Sequence, residues 1–295
     1  MLTSTQIYLR ALAPGELPNT TGQFGHAAFL RLMETVSPEL STALHGNNGR
    51  QPFTVSPLQV PARARVNGRT GAGLDSLRAG NVRQHLRLSE GAGCSMRFTM
   101  LDPRLYAAFQ NAFLVPWQEA VIRLGHIPFA VYEVVTTPRA DGLTGFTSFV
   151  ELWDGAGMER TLTLRFVSPT ALSRGDGGKG KIFDLLPTAW GVFDSLCRKW
   201  NAFAEQPIVE PNGLREWIEK NVVVADVREL TTTTLRFEKF AQKGFVGTVT
   251  YMLLGEDESM IRGMNALADF ALYAAVGYKT TMGMGQARRI LDFRF

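Results

Sequence analysis

The order in which the residue periodicity changes along the chain restricts its fold more than any single residue does. Gln6–Leu12 (QIYLRAL) alternates, with Ile7, Leu9 and Ala11 on one face, and reads as a strand. Gly22–Val36 then takes helical spacing, with Phe29, Leu32, Met33 and Val36 as its buried stripe. A second helix starts at Ser37-Pro38-Glu39, because serine caps and proline fits a first turn. It stops at His45-Gly46, where glycine supplies the left-handed cap. Gln51–Val60 and Ser95–Leu101 read as strands, Pro103–Ala120 as a helix and Ile127–Thr136 as a strand. A looser copy of this series follows. Its parts are the strand Thr161–Val167, the helix Thr188–Phe203 with Trp190, Phe193, Leu196, Cys197 and Trp200, and the strands Val222–Phe237 and Gly247–Leu254. The helix Ser259–Ala274 and the strand Ala287–Phe293 close it. The order β-α-β-β-α-β is that of a ferredoxin-like unit, so the expected class is α+β, with two such domains in tandem. The expected domains are residues 1–139 and 160–295, with the Gly-, Thr- and polar-rich stretch 140–159 as linker.

A chain of 295 residues, 45% hydrophobic, suffices for two domains with real cores. No apolar run reaches the roughly 20 residues of a spanning helix, since Asp269 interrupts the best candidate, and no signal-peptide pattern opens the sequence. A cytoplasmic protein is expected. The two cysteines, Cys94 and Cys197, lie far apart, without CxxC or clustered histidines, so no disulfide framework, metal site or cofactor is expected.

The net charge is only +4, but it is unevenly spread. Between Pro61 and Ser89, Arg63, Arg65, Arg69, Arg78, Arg83 and Arg87 face a single Asp75, a local excess of +5. The tail from Ala275 adds +3, which leaves the rest of the chain at −4. Localised basic charge is how a polyanion footprint looks; a solvated, arginine-bearing loop is the alternative.

Within that tail stands AVGYKTTMGMGQARRI, Ala275–Ile290. Glycines permit positive φ and close approach to the backbone. Nucleotide-binding glycine loops follow a strand and open a helix; this one follows a helix and opens a strand, and neither GxGxxG nor GxxxxGK[ST] is present. A mononucleotide site is therefore not expected, while a longer ligand is compatible.

The loop resembles the signature of the CRISPR repeat-processing endoribonucleases of the RAMP superfamily, whose domains are ferredoxin-like, or RRM-like. That signature is roughly Gly-x-Gly, five residues, Gly-x-Gly; here it stands as Ala275-Val-Gly277, then Gly283-Met-Gly285, departing at Ala275. LHGNNGRQPFTVSPL (Leu44–Leu58), CSMRFTMLD (Cys94–Asp102) and RFVSPTAL (Arg165–Leu172) match as well, in the family's order. The resemblance implies metal-independent cleavage of a CRISPR precursor transcript within each repeat. The ribose 2′-OH attacks the adjacent phosphate, leaving a 2′,3′-cyclic phosphate and a 5′-OH. Such chemistry needs a base, an acid and donors for the developing negative charge.

His45 stands where the family places its active-site histidine; a helix C-terminus also favours imidazolium, although a cap has the same position. Some members place a catalytic tyrosine on the preceding helix. No tyrosine lies between Tyr8 and Tyr106, and His26 is the candidate for that place, packing being the alternative. The cation expected after the histidine is Arg50, which stabilises charge but does not readily donate a proton. His85, among arginines, fits a binding surface, and His126 receives no role. For RNA contact the candidates are Gly277, Gly283 and Gly285 through backbone N–H groups, Lys279 and Arg288 through charge, and Thr280 and Thr281 through hydroxyls. Lys179 and Lys181 in the GGKGK loop, with Arg63, Arg65 and Arg69, form a second set. The expected partner is CRISPR repeat RNA, with effector-complex subunits or a second copy as further partners. Two other readings stay open: a noncatalytic RAMP subunit holding guide RNA, and a ferredoxin-like protein for small ligands or proteins.

Overall fold

The computed structural model describes residues 1–46, 50–61, 85–113, 120–176, 178, 180–209 and 211–290. The chain divides into two compact units. The first comprises Met1–Phe146 with Leu235–Ala241 and Thr281–Gly283. Its elements are β1 (Leu2–Ala11), β2 (Gly15–Pro18), α1 (Thr21–Val36), α2 (Pro38–Gly46), β3 (Phe53–Val55) and β4 (His85–Leu88). They continue with β5 (Gly93–Met100), α3 (Pro103–Asn111), β6 (Val121–Leu124), β7 (Ile127–Val135) and β8 (Gly145–Thr147). The main sheet runs β3-β5-β1-β7-β6, with β8 on β1, and β2 pairs β4 separately. Without its additions the sheet has the antiparallel ferredoxin-like order, with the first strand between the third and fourth.

β1 begins four residues before the alternating segment. Its Thr3, Ser4 and Thr5 are buried, and their polarity hid the strand. Ser4 Oγ donates to the Leu143 carbonyl at 2.5 Å, Arg97 donates to Ser4 Oγ at 3.0 Å, and the Thr5 and Thr136 hydroxyls meet at 2.9 Å. Buried hydroxyls persist in a strand when they find such partners, as those of Ser4 and Thr5 do; Thr3 Oγ1 has none among the described residues. On the other face, Phe29 of α1 stacks on Phe53 at 4.3 Å and reaches Phe98 and Phe109. Each ring buried this way contributes about 1.5–3 kcal/mol.

The buried stripe of α1 is Gly22, Gly25, Phe29 and Met33; Leu32 and Val36 are only partly covered. Glycine at 25 lets the helix lie against Val55 and Met96, whose side-chain atoms stand 2.4–2.7 Å from where a Cβ would be. Two predicted elements are shorter than their sequence suggests. The strand Gln51–Val60 reduces to β3: Pro57 has no N–H, the Leu58 N–H goes to Thr21 Oγ1 at 2.8 Å, and pairing returns only as a bridge from Gln59 to Ser95. The helix from Pro103 ends at Asn111; residues 114–119 of that prediction lie outside the described residues, and Val121–Leu124 forms a hairpin with β7 instead.

The second unit comprises Thr147–Thr234, Gln242–Thr280 and Met284–Phe295. It contains α4 (Phe149–Asp154), β9 (Thr161–Thr170), β10 (Leu172–Asp176), β11 (Lys181–Asp184), α5 (Ala189–Phe203) and α6 (Pro211–Asn221). β12 (Val222–Arg236), β13 (Ala241–Leu253), α7 (Glu258–Ala274) and β14 (Ala287–Arg289) complete the chain order. The sheet order β12-β13-β9-β14 repeats the arrangement of the first unit, with α5 and α7 as the two crossing helices. Thr188 and Asp257 cap those helices by accepting from Gly191 and Met260 N–H groups. Phe193, Leu196, Cys197 and Trp200 of α5 are buried as expected, and Trp190 is half-buried. The sequence reading did not contain the hairpin β10–β11, α4 or α6. No helix among the described residues is long and apolar enough to cross a membrane.

Candidate functional site

The last turn of α2 is fixed from both sides. Leu44 lies in the core of the first unit, and its carbonyl accepts from Gln51 Nε2 at 3.0 Å. That bond ties the end of the helix to the segment entering β3, so the His45 backbone and Arg50 flank one short stretch. The His45 side chain lies outside the described residues, and Arg50 is exposed. His26 comes to the same place from α1, its half-buried ring stacked on Phe53 with centroids 5.6 Å apart and planes within 12°.

The tip of the glycine-rich loop reaches this helix too. A Cβ on Gly22 would stand 2.5 Å from Gly283 Cα and 2.5 Å from the Met282 carbonyl, so the tip rests on the first turn of α1. Gly22 precedes His26 by four residues, hence on the same helix face at about 6 Å of rise. Within the first unit, then, the loop tip rests on α1 one turn from His26, and His26 meets the start of β3 three residues after Arg50.

The rest of the loop is occupied with itself. Val276 N–H donates to the Gly285 carbonyl, Gly277 N–H to Ser195 Oγ, Tyr278 N–H to the Ala171 carbonyl and Gly285 N–H to the Pro169 carbonyl, all at 2.8–3.0 Å. Gly277 and Gly285 were expected to present donors to RNA; this is corrected, since both N–H groups are used inside the fold. Gly283 is likewise buried, and what it approaches closely is Gly22. Thr280 is corrected as well: its hydroxyl is buried and accepts from Lys199 Nζ at 2.9 Å. The buried Lys199 ammonium also donates to the Ala274 carbonyl at the end of α7, where a cation is favoured. Thr281 is half-exposed.

Ala275, where the signature departs from glycine, has φ 51° and ψ 173°. That region is essentially reserved for glycine and costs other residues about 1–3 kcal/mol. Ala275→Gly is expected to stabilise the protein by about 1 kcal/mol, after the lost methyl burial and added chain entropy are deducted. Urea denaturation checks this; an unchanged or lowered midpoint contradicts it.

The two lysine candidates from distant segments come together. Lys181, the first residue of β11, and Lys279 place their ammonium groups 4.9 and 5.4 Å from the centre of one ring, that of Tyr278. Composition offered no reason to single out Tyr278. Arg288 in β14 lies directly opposite Arg165 of β9. That register sets a second arginine, Arg165 of the motif RFVSPTAL, beside the candidate Arg288. Arg63, Arg65, Arg69 and Lys179 lie outside the described residues. His85 stands 3.9 Å from Glu16, and His126 is exposed in the turn between β6 and β7. Burial pushes the Cys94 thiol up to about 11, so it stays protonated at neutral pH. Burial likewise lifts the Asp269 carboxyl, although Arg289 at 3.1 Å opposes the shift.

Comparison with known proteins points to one group. The model of the CRISPR Cas6 N-terminal domain matches residues 4–154, and that of CRISPR-associated endoribonuclease Cas6 matches residues 164–287. Among solved structures, a Cas6 (TTHB231) product complex is 28% identical with a TM-score of 0.80, covering 98% of this chain and 100% of that one. Thermus thermophilus Cas6 (TTHB231) is 26% identical with a TM-score of 0.70, covering 98% of each chain. A Cas6 (TTHA0078) product complex is 28% identical with a TM-score of 0.70, covering 99% of this chain and 100% of that one. No curated protein matches. Two family models in succession, over two units of one topology closed by the glycine-rich loop, lead to one conclusion: the chain belongs to the Cas6 family of CRISPR-associated endoribonucleases.

Proposed function

We propose that this protein cuts CRISPR precursor transcripts within their repeats, without a metal ion, by attack of the 2′-OH on the adjacent phosphate. The observation that carries the reading is that the loop tip rests on α1 one turn from His26, and His26 stacks on Phe53 in the segment that follows Arg50 and that Gln51 ties to the end of α2, the helix that bears His45. In this reaction a base removes the 2′-OH proton, the oxygen bonds to phosphorus, and the 5′ oxygen leaves with a proton from an acid. His45 is the group assigned to proton transfer, since an imidazole with a pKa of about 6.5 serves either role near neutrality. Arg50 neutralises charge on the phosphate as it builds. His26, stacked on Phe53, is placed to orient the site or to share the proton transfer. Residues 1–139 supply this chemistry, and residues 160–295 hold the RNA.

RNA contact through the loop falls to Lys279 and Thr281 rather than to the glycine N–H groups, joined by Lys181 and by the facing pair Arg165 and Arg288. The relatives solved as product complexes support an RNA-processing role. The test is incubation with labelled repeat RNA from the neighbouring array in EDTA, beside RNA carrying a 2′-deoxy sugar at the cut. Cleavage to a cyclic phosphate is expected for the first and none for the second. Cleavage of the deoxy substrate would refute the 2′-OH mechanism, and tight binding without cleavage would make the protein a guide-RNA holder.

A further inference from the structure

We propose that the helix-free face of the first unit's sheet binds an unpaired nucleotide of the RNA, with the base stacked on Tyr132 and the phosphate taken by Arg10. This rests on the ribonuclease reading and adds an RNA subsite to the unit that carries its chemistry. Leu9, Ile122, Leu124 and Val131 point into the core with Phe29 and Phe109 of α1 and α3. The residues between them in β1, β6 and β7 therefore stand on the other face, where Arg10, Val121, Arg123 and Tyr132 are exposed. Tyr132 reaches that face through a β-bulge. Pairing passes from Leu9 with Val131 to Tyr8 with Glu133, so Tyr132 is the additional residue, and its ring lies 6.1 Å from that of Tyr8. Bulges of this kind re-aim a side chain.

The two rings differ in what holds them. Arg139 lies 5.3 Å over Tyr8, donates to its hydroxyl at 2.9 Å and is neutralised by Glu133, so Tyr8 is locked in place. Arg10 lies 5.5 Å over Tyr132. Opposite Arg10 in the register stand Gly93 and Ala130, and opposite Arg123 stands Pro128; among the described residues neither arginine has a carboxylate partner. The space beside Arg10 is open, since a Cβ on Gly93 would meet nothing within 4 Å. Tyr132 is 41% exposed and Val121 51%. A simple anion would use the arginines and leave the aromatic step idle. An apolar segment would use the step and gain nothing from the cations. A nucleotide answers both, with a π face for the tyrosine and a phosphate for the guanidinium. Paired bases do not open a face to a side chain, so the nucleotide taken is an unpaired one.

The experiment measures the affinity of wild type, Tyr132→Ala, Tyr132→Phe and Arg10→Ala for repeat RNA at several salt concentrations. Tyr132→Ala is expected to bind about tenfold more weakly with an unchanged salt slope, because stacking, not charge, is lost. Tyr132→Phe is expected to match wild type. Arg10→Ala is expected to lower the salt slope by about 0.7, the value for one single-strand phosphate contact; an unchanged slope would overturn that contact. Wild-type affinity in Tyr132→Ala, or an equal loss in Tyr132→Phe, would overturn the stacking role and leave the ribonuclease reading intact. If Tyr132→Ala keeps its RNA affinity but alters the sedimentation of the free protein, the face belongs to a second copy of the chain and the proposal falls. A wild-type protein that neither binds nor cuts the repeat would overturn both readings. In case Tyr132→Ala does not fold, wild type is also irradiated with repeat RNA carrying 5-iodouridine at its unpaired positions. A crosslink to Tyr132 is expected, and crosslinks confined to other parts of the chain would overturn the proposal.

Discussion

His45→Ala is expected to slow cleavage of repeat RNA by about 10²–10⁴-fold, the usual contribution of a positioned acid or base, while RNA affinity changes little. The separation follows from where the residue stands. Leu44 packs this turn into the core, and the bond from Gln51 holds the turn to the segment before β3. With the turn held by Leu44 and Gln51, removing the imidazole is expected to leave the end of α2 in place and to take away the group assigned to proton transfer. Single-turnover cleavage and filter binding on the same preparations make the measurement. Undiminished cleavage, or a loss of cleavage matched by a loss of binding, would remove His45 from the chemistry. His26→Phe is the comparison, since phenylalanine keeps the stack on Phe53 and cannot carry a proton. Full activity in that variant would reduce His26 to packing.

The second large effect is structural. Gly285→Ala is expected to cost at least about 3 kcal/mol, within the range that marks backbone clashes. An alanine Cβ there would stand 2.0 Å from the Val276 carbonyl oxygen, at φ 71°. The clash is with backbone, which no side-chain rotation relieves. Moving aside would break the bonds by which Val276 N–H reaches the Gly285 carbonyl and Gly285 N–H reaches Pro169. Urea denaturation measures the cost, and a midpoint within error of wild type would show that the loop does not close as described. Opposite signs for Gly285→Ala and Ala275→Gly, ten residues apart in one loop, distinguish a backbone argument from a general tolerance or fragility of the segment.

The two substitutions also show what a glycine in a sequence conveys. That the loop needed residues free of side chains was legible from AVGYKTTMGMGQ; what comes close to them was not. The resemblance implied RNA contact, whereas Gly277, Gly283 and Gly285 are approached by Ala171, Gly22 and Val276 of the same chain. A donor's partner is a three-dimensional fact, and a one-dimensional pattern contains only the donor. The same limit applies to Thr280, whose hydroxyl read as exposed because Lys199, which binds it, is 81 residues away.

Other parts were legible because their physics is local. The alternation of Ile7, Leu9 and Ala11 and the apolar spacing of α5 depend only on neighbours within a few residues, so the order of the main strands and helices followed. From that order came two ferredoxin-like units, because few topologies accommodate it. Where local signals conflict with distant partners, the reading failed. At the polar start of β1, Leu143, Arg97 and Thr136 satisfy the hydroxyls of Ser4 and Thr5, and Gln51–Val60 is not one long strand because Leu58 turns to Thr21.

By itself, then, the sequence determined the class, the order of the main strands and helices and the residue types suited to the chemistry, all consequences of short-range periodicity and side-chain character. Only the tertiary structure decided which of those residues meet. It placed the loop tip on α1 one turn from His26, joined Lys181 and Lys279 at Tyr278, and set Arg288 against Arg165. Such meetings arise from strand register and close backbone packing between segments far apart in the chain, and no short stretch of the chain contains them.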